Sequence, residues 1–321
     1  MLRHPYTCSL NTCGLIAVLV LAVICLVSGS RAVGSAEEPR IVILTSSRAA
    51  PYEEALTGFQ QALRQQGMRA TFDVHSLEED SRRVTRVLQD VKQGGITLLL
   101  TLGTAATQKA RQDITTVPII AGLVLSADEF KSAPNMSGVT LDFPVAVQLD
   151  WLRRFLPTAK TIGVIYNPKE NQQRIEAASR VAHELGLKLE SQQVSDTREL
   201  PTALETLAKK IDVLWGVVDE LVLTPQTAKH VLLFSFQNRI PFVGLSTAWV
   251  KAGAVYALDW DYTDLGMQCG EMALKVLRGT SINALPPSAP RKVVYALNQK
   301  TARHMKIEIA ETLVRGAREI F

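Results

Sequence analysis

The sequence of 321 residues is 47% hydrophobic and 21% charged, and its formal net charge is +4 at neutral pH. This is the composition of an ordinary globular chain that is long enough for two domains. Runs of basic residues and alternating basic and aromatic residues do not occur in it, which argues against nucleic acid as a partner.

Residues 1–36 are predicted to be a secretory signal peptide rather than part of the fold. Arg3 and His4 precede an uninterrupted apolar run at 14–27, and small residues follow it up to 34–36. A basic start, a short apolar run and a small-residue exit are typical of such signals, and the run is short for a membrane-spanning helix. We expect cleavage after residue 36, with residue 32 as the second choice, and a periplasmic mature protein. A retained N-terminal membrane anchor is the alternative.

The cysteines add to this interpretation. Cys8, Cys13 and Cys25 lie in or before the apolar run, so only Cys269 would remain after processing. A mature chain with one cysteine forms no internal disulfide. Its stability must come from a hydrophobic core, which a chain of this length can supply.

From residue 40 onward, apolar runs with strand character alternate with segments of helical periodicity. The first set of predicted strands is 40–45, 70–75, 98–102, 117–122 and 137–141, and the helices between them are 51–66, 79–93 and 105–111. A helix then begins at 143–144 and ends at Pro157. The second set of strands is 161–166, 187–194, 211–218 and 240–244, with helices at 170–185, 199–210 and 225–238. Repeated βα units predict an α/β fold with parallel sheets and right-handed crossovers, here in two similar lobes.

The turn between the strand at 98–102 and the helix at 105–111 is a candidate anion site. Gly103 and Thr104 interrupt the apolar run there, and Thr104 is expected to be the N-cap of the helix. A strand, a tight turn and a helix leave free N–H groups at the carboxyl end of a sheet, which suits a ligand carboxylate. The alternative is an ordinary βα turn without a ligand.

Polar residues follow the other strands in the same way. Ligands of such folds bind at the carboxyl ends of the strands and in clefts between domains. The candidate ligand-binding residues are therefore Thr45, Ser46, Tyr52, Gly103, Thr104, Asn167, Asp219 and Ser246. Tyr52 could cover an apolar face of the ligand, and Asp219 could pair with a ligand ammonium. Helix capping, core packing or the start of a solvated loop are the alternatives for these positions.

Catalysis, metals and cofactors have little support in the sequence. The histidines are scattered, and there is no G-x-S-x-G elbow, no Cys/His cluster with metal spacing and no Walker loop. We therefore predict a protein that is not an enzyme and has no cofactor and no metal.

Several segments together resemble one known family. They are IVILTSS, TLGTAATQKA, VPII, MSGVTLDFPVAVQLDWLRRFLPTAKTIGVIYNP, VVDELV, IPFVGLSTAWVKAGAVYAL, DYTDLG and LNQKTARHM. The chain is similar to ABC-transporter substrate-binding proteins of the tryptophan/tyrosine-binding type, and the resemblance covers nearly all of the mature chain. It departs from the family at 122–126, GLVLS, where a turn like Thr-Asp-Pro is usual.

The resemblance implies a type I periplasmic-binding-protein architecture, with two Rossmann-like lobes and a ligand cleft between them. Lobe 1 is expected at 40–158 plus 262–281 and lobe 2 at 159–261 plus 282–321. The implied function is that of a monomeric extracytoplasmic solute-binding protein of an ABC importer. Its partners would be a small polar ligand, with an amino acid as one candidate, and an inner-membrane permease with a cytoplasmic ATPase. A periplasmic sensor subunit and a bilobal α/β enzyme are the alternatives.

Overall fold

The computed structural model describes residues 1–2, 38–79, 81–131 and 133–321. The predicted signal peptide and both predicted cleavage sites lie outside these residues, apart from the first two positions. Within the described ranges, no helix is both long enough and apolar enough to cross a membrane.

Strands and helices alternate along the chain. The strands are β1 (Arg40–Thr45), β2 (Thr71–Ser76), β3 (Leu98–Leu102), β4 (Ile119–Val124), β5 (Met136–Thr140), β6 (Thr161–Tyr166), β7 (Lys188–Gln193), β8 (Val213–Trp215), β9 (Phe242–Gly244), β10 (Tyr256–Trp260), β11 (Val293–Leu297) and β12 (Glu319–Ile320). The helices are α1 (Ala50–Gln65), α2 (Ser81–Gln93), α3 (Thr104–Asp113), α4 (Val145–Phe155), α5 (Pro168–Glu184), α6 (Leu200–Leu207), α7 (Ala228–Asn238), α8 (Thr247–Ala252), α9 (Tyr262–Leu277), α10 (Gln299–His304) and α11 (Glu311–Arg315).

These strands form two sheets. The first has the order β2-β1-β3-β4-β5 and is parallel throughout. The second has the order β12-β11-β10-β9-β8-β6-β7, in which β10 and β11 are antiparallel and the other neighbours are parallel. The predicted α/β fold with two lobes, each built on a sheet of parallel strands, is confirmed.

Helices cover both faces of the first sheet, so its strands β3 and β4 are buried along their whole length. α2 and α3 pack on one face, and α1 and α9 pack on the other. α9 comes from late in the chain and lies directly against α1. A Cβ atom at Gly58 would collide with the carbonyl oxygen of Thr263, and one at Gly266 would collide with the carbonyl oxygen of Ala55. The two helix backbones therefore touch where these glycines lie.

α4 packs against the second sheet. Its buried side chains Leu149, Leu152 and Phe155 belong to the core of that sheet, and the Phe155 ring stacks on Tyr256 of β10 at 4.0 Å. The predicted lobe boundary at 158 groups this helix with lobe 1. The apolar stripe of α4 matches the second sheet instead, so the chain crosses between the lobes ahead of the helix.

The segment after α9 stays with the first sheet for longer than the predicted boundary at 281. Ile282 packs in the core beneath α1 and α9. The N–H of Ser288 donates to the carbonyl oxygen of Gly138 at 2.9 Å, and its own carbonyl accepts from the N–H of Thr140 at 3.0 Å. The chain crosses to the second sheet only after this bridge to β5.

Candidate functional site

The carboxylate of Asp219, after β8, is 5% exposed and accepts four hydrogen bonds from the protein. Oδ1 accepts from the N–H groups of Leu221 at 2.8 Å and Val222 at 3.0 Å. Oδ2 accepts from the N–H of Asn167 at 2.7 Å and from Nδ2 of Asn171 at 3.0 Å. An ionised carboxylate has about four acceptor positions, so all are used internally. The expected role was pairing with a ligand ammonium. In the structure, the Asp219 carboxylate instead holds the β6–α5 turn against the loop after β8 through these hydrogen bonds.

Asn167 begins α5 and is bonded through its side chain as well. Its Oδ1 accepts from the N–H of Lys169 at 3.1 Å, and its Nδ2 donates to Oε1 of Glu170 at 2.7 Å. An Asn N-cap followed by Pro168 at the first helical position is a favoured helix start. The structure thus brings Asn167 and Asp219 together, with their polar groups directed at the protein.

The turn after β3 depends on glycine at position 103. Gly103 has φ +99° and ψ 153°, a region that is open almost only to glycine. A Cβ atom there would collide with Oγ of Ser46 and lie 2.8 Å from Cε1 of Tyr52. Ser46 Oγ also accepts a hydrogen bond from the N–H of Ala106 at 2.9 Å. Three predicted site residues therefore meet at one turn, where Ser46 bonds an N–H group in the first turn of α3.

Thr104 is the first residue of α3, and Gly103 takes the N-cap position that was predicted for Thr104. The Thr104 Oγ1 accepts from the N–H of Leu125 at 3.2 Å, which joins this turn to the end of β4. In the described chain, no partner is found for the N–H groups of Thr104 and Ala105. The first N–H groups of any helix have no acceptor within that helix, and these are two such groups.

Thr45 and Ser246 lie apart from these groups. Thr45 is buried, and its hydroxyl donates to the carbonyl oxygen of His75 at 3.4 Å, towards β2. Thr45 and Tyr52 also line a separate hollow of about 260 Å³ at the β1–β2 side of the first lobe. Ser246 precedes α8, and its carbonyl accepts from the N–H of Val250 at 3.2 Å.

A cavity of about 180 Å³ lies between the lobes, and none of the eight predicted residues lines it. This space is large enough for a small molecule rather than for a single water. Its walls come from the ends of β8, β9 and β10, from the crossover after β5 and from the loop after β4. The lining residues are Leu125, Leu141, Asp142, Phe143, Gln148, Arg174, Trp215, Gly216, Val217, Val218, Val243, Gly244, Leu245, Tyr256, Leu258 and Trp260.

Aromatic side chains form much of the cavity wall. The rings of Phe143, on the crossover after β5, and Trp260, at the end of β10, stack at 5.4 Å with an angle of 9° between them. Gln148 accepts from Nε1 of Trp215 at 3.2 Å and donates to the carbonyl oxygen of Phe143 at 2.8 Å. Tyr256 is fully buried, and this burial raises the pKa of its hydroxyl well above the ordinary value. This side of the wall is therefore largely aromatic and uncharged at neutral pH.

Three polar atoms of cavity-lining residues are buried without a hydrogen-bond partner among the described residues. They are Nε of Arg174, the hydroxyl of Tyr256 and Nε1 of Trp260. Leaving such groups unpaired is costly, and most buried polar groups in native proteins are paired. Two of the three can only donate, and none of the three is accessible from the cavity in this state.

The mouth of the cavity is apolar on both sides. Leu125 in lobe 1 is 68% exposed and Val218 in lobe 2 is 76% exposed. Leu125 follows an irregular end of β4, where the pairing with β5 shifts and Leu123 has φ +54°. This is the segment that departs from the expected Thr-Asp-Pro-like turn, and it places a leucine rather than an acid at the cavity.

Sequence reasoning missed the residues that line this cavity, although one of them gives a detectable signal. Arg174 lies three residues after Asn171 and four before Ala178, so it shares the inward stripe of α5 with them. A cation on the buried face of an amphipathic helix marks a position that needs a partner. The predicted residues flank the cavity instead, since Asp219 follows Val218 and Ser246 follows Leu245.

A family model described as ABC transporter substrate binding protein matches residues 42–321. The chain belongs to this family. The match covers both lobes and all of the elements that form the interlobe cavity.

Two relatives and two solved structures illustrate the similarity. A protein named "Tyrosine-binding protein" from Clostridioides difficile is 26% identical over 271 residues, which are 80% of this chain and 77% of that protein. An uncharacterised protein of Rickettsia prowazekii is 20% identical over 279 residues, covering 87% of this chain and 89% of that one.

Among solved structures, the ligand-free, open form of a Clostridium difficile substrate-binding protein with adhesive properties has a TM-score of 0.73. It is 23% identical, and the alignment covers 88% of this chain and 98% of that one. A Streptococcus pneumoniae domain in complex with L-Trp has a TM-score of 0.57 at 22% identity, covering 88% of this chain and all of that one. Both share the fold of this chain.

Proposed function

We propose that this chain is the extracytoplasmic solute-binding component of an ABC importer, and that it carries an aromatic amino acid to a membrane permease. The observation that carries this proposal is the interlobe cavity, with its aromatic walls and its pair of opposite charges, Asp142 and Arg174. Aromatic walls suit a flat apolar side chain, and a cation next to an anion suits a zwitterion.

The relatives support the same ligand class. One carries a name that refers to tyrosine, and one structural neighbour was solved with L-Trp. Those ligands belong to those proteins, and for this chain an aromatic amino acid is our proposal. The cavity adds support of its own, because the partly exposed guanidinium of Arg174 suits a ligand carboxylate.

Closure of the lobes would complete the site. Leu125 and Val218 are exposed apolar side chains on opposite lobes at the cavity mouth, and burying them would favour a closed state. The turn formed by Ser46, Gly103 and Thr104 would then cover the ligand from lobe 1 and offer its unpaired N–H groups. The permease would recognise the closed form, and the population of this form would increase when the ligand binds.

Calorimetry of the purified mature protein tests the ligand class. We expect saturable one-site binding of L-tryptophan or L-tyrosine, and much weaker binding of L-leucine and L-arginine. Binding of a sugar such as D-ribose, with no response to any aromatic amino acid, would contradict the proposal. Uptake of the labelled ligand by cells should also be lost when the gene for this chain is deleted.

The exported location depends on the predicted signal peptide. N-terminal sequencing of the protein recovered from the periplasm should begin at Glu37, with Val33 as the second choice. A protein that still begins at Met1 would favour a retained anchor.

A further inference from the structure

The charged residues that line the interlobe cavity are Asp142 and Arg174. Asp142 lies on the first crossover, directly after lobe 1, and Arg174 lies on the second turn of α5 in lobe 2. Nη2 of Arg174 donates to Oδ1 of Asp142 at 3.0 Å. The side chains are 30% and 46% exposed, so the pair is neither fully solvated nor closed off from a ligand.

This ion pair uses only part of each group. An arginine side chain has five N–H donors in a planar fork, and the bond to Asp142 takes one of them. Nε of Arg174 is buried and has no partner in the described part of the chain. For Asp142, the contact with Arg174 occupies Oδ1, and Oδ2 makes no hydrogen bond with any described residue. A guanidinium edge and a carboxylate oxygen are therefore both available next to each other at the cavity.

We propose that Arg174 binds the carboxylate and Asp142 the ammonium of an amino-acid ligand, with its side chain against the aromatic wall; this rests on the proposed function. An arginine fork matches a carboxylate in geometry and pairs with it through two parallel N–H bonds. The Arg174 side chain is 30% exposed, so the outer nitrogens of the fork remain within reach of a ligand in the cavity.

Asp219 is a poor candidate for the ammonium contact, because its four acceptor positions are bonded to the protein. In this assignment, Asp142 rather than Asp219 binds the ligand ammonium. Arg174 of lobe 2, rather than the Gly103 turn of lobe 1, binds the ligand carboxylate.

Three indole probes separate the two charges by calorimetry: L-tryptophan, tryptamine, which has no carboxylate, and indole-3-propionate, which has no amine. Arg174→Gln should lower the affinity for L-tryptophan and indole-3-propionate about ten- to a hundredfold, because one charge-assisted bond is lost. The affinity for tryptamine should not change. Asp142→Asn should show the opposite pattern: the affinity for L-tryptophan and tryptamine should fall, and the affinity for indole-3-propionate should stay the same.

Arg180→Gln is the matched control, because Arg180 is an exposed arginine on the same helix; it should bind all three probes like the wild type. Arg174→Lys keeps the charge but loses the fork, so it should recover part of the affinity for L-tryptophan. If Arg174→Gln does not fold, the Asp142→Asn pattern still tests the assignment.

The outcomes separate this inference from the proposed function. If Arg174→Gln binds L-tryptophan like the wild type, or weakens all three probes equally, the assignment is overturned and the ion pair only holds the crossover in place. If Thr104→Ala alone selectively weakens the carboxylate probes, the carboxylate lies on lobe 1 and the assignment is overturned. If wild-type protein binds no aromatic amino acid, the proposed ligand class fails, and this inference fails with it.

Discussion

Replacement of Asp219 by asparagine separates a role in the fold from a role in ligand binding. Each carboxylate oxygen accepts two N–H groups. An asparagine side chain keeps one oxygen and places an NH₂ group where the other was. Whichever way it turns, two donors of the protein face another donor.

The magnitude follows from these four contacts. A buried donor that loses its acceptor costs about 1–3 kcal/mol, and the bonds that remain lose about 1 kcal/mol each because the acceptor is no longer charged. Asn171 Nδ2 also donates to the carbonyl oxygen of Val218 at 3.0 Å, so its loss is partly offset. We expect Asp219→Asn to lower the free energy of unfolding by about 3–5 kcal/mol, a large share of the stability of a typical protein.

The assay is urea unfolding of ligand-free protein, followed by circular dichroism. Glu220→Gln is the control, since it makes the same chemical change at the neighbouring exposed position and should shift stability by less than about 0.5 kcal/mol. An unchanged unfolding midpoint for Asp219→Asn, together with a strong loss of amino-acid affinity, would refute the reasoning. Asp219 would then be a ligand contact, as the sequence first indicated.

Three further predictions follow from single contacts. Gly103→Ala should lower the free energy of unfolding by about 2–5 kcal/mol, because it adds both backbone strain and crowding. The control Gly67→Ala, at φ +69° with open space around it, should lower it by only about 1 kcal/mol. Equal shifts of the melting temperature in the two variants would argue against crowding at Gly103. Cys269 is fully buried and its pKa is raised to about 12 by that burial, so iodoacetamide should label mature protein at pH 8 only after unfolding, as mass spectrometry would reveal. Burial alone would raise the pKa of Asp261, but the hydrogen bond from Lys292 brings the pKa below the ordinary 3.8. Lys292→Gln should therefore lower the free energy of unfolding by up to about 1 kcal/mol at pH 7. This difference from the wild type should vanish as the pH falls through the lowered pKa. Urea titrations at several pH values check the sign, and a difference that grows in acid would contradict it.

Much of the fold could be predicted because parallel strands buried on both faces leave clear apolar runs. The strand at 40–45 agrees with β1, and the strand at 161–166 agrees with β6. Shorter elements were predicted too long, since β8 covers only Val213–Trp215 within the predicted 211–218. After β8, the N–H of Gly216 still donates to the carbonyl oxygen of Val243 at 3.0 Å, whereas Val217 and Val218 line the interlobe cavity.

The candidate site was harder to predict, because a polar residue at a strand end has two fates that look alike in sequence. Asp219 and Asn167 follow strands as ligand contacts would, yet their polar atoms bond the loops of the protein. Arg174 lies inside a helix, and Trp260 ends β10, which is not among the predicted strands, so neither follows a predicted strand. Both lie in lobe 2 and line the same cavity, and periodicity along the chain does not encode this proximity.

The contact between α1 and α9 governs the order in which the chain can fold. The two helices meet backbone to backbone at Gly58 and Gly266, and they close one face of the first sheet together. One helix is made early and the other only after the strands of lobe 2 up to β10 have been made. While the chain emerges from a ribosome or a translocation channel, Phe59 and Leu63 have no α9 to pack on. Lobe 1 is therefore started first but completed only when α9 has been made, after β6 to β10 of lobe 2, and the apolar face of α1 stays uncovered until then.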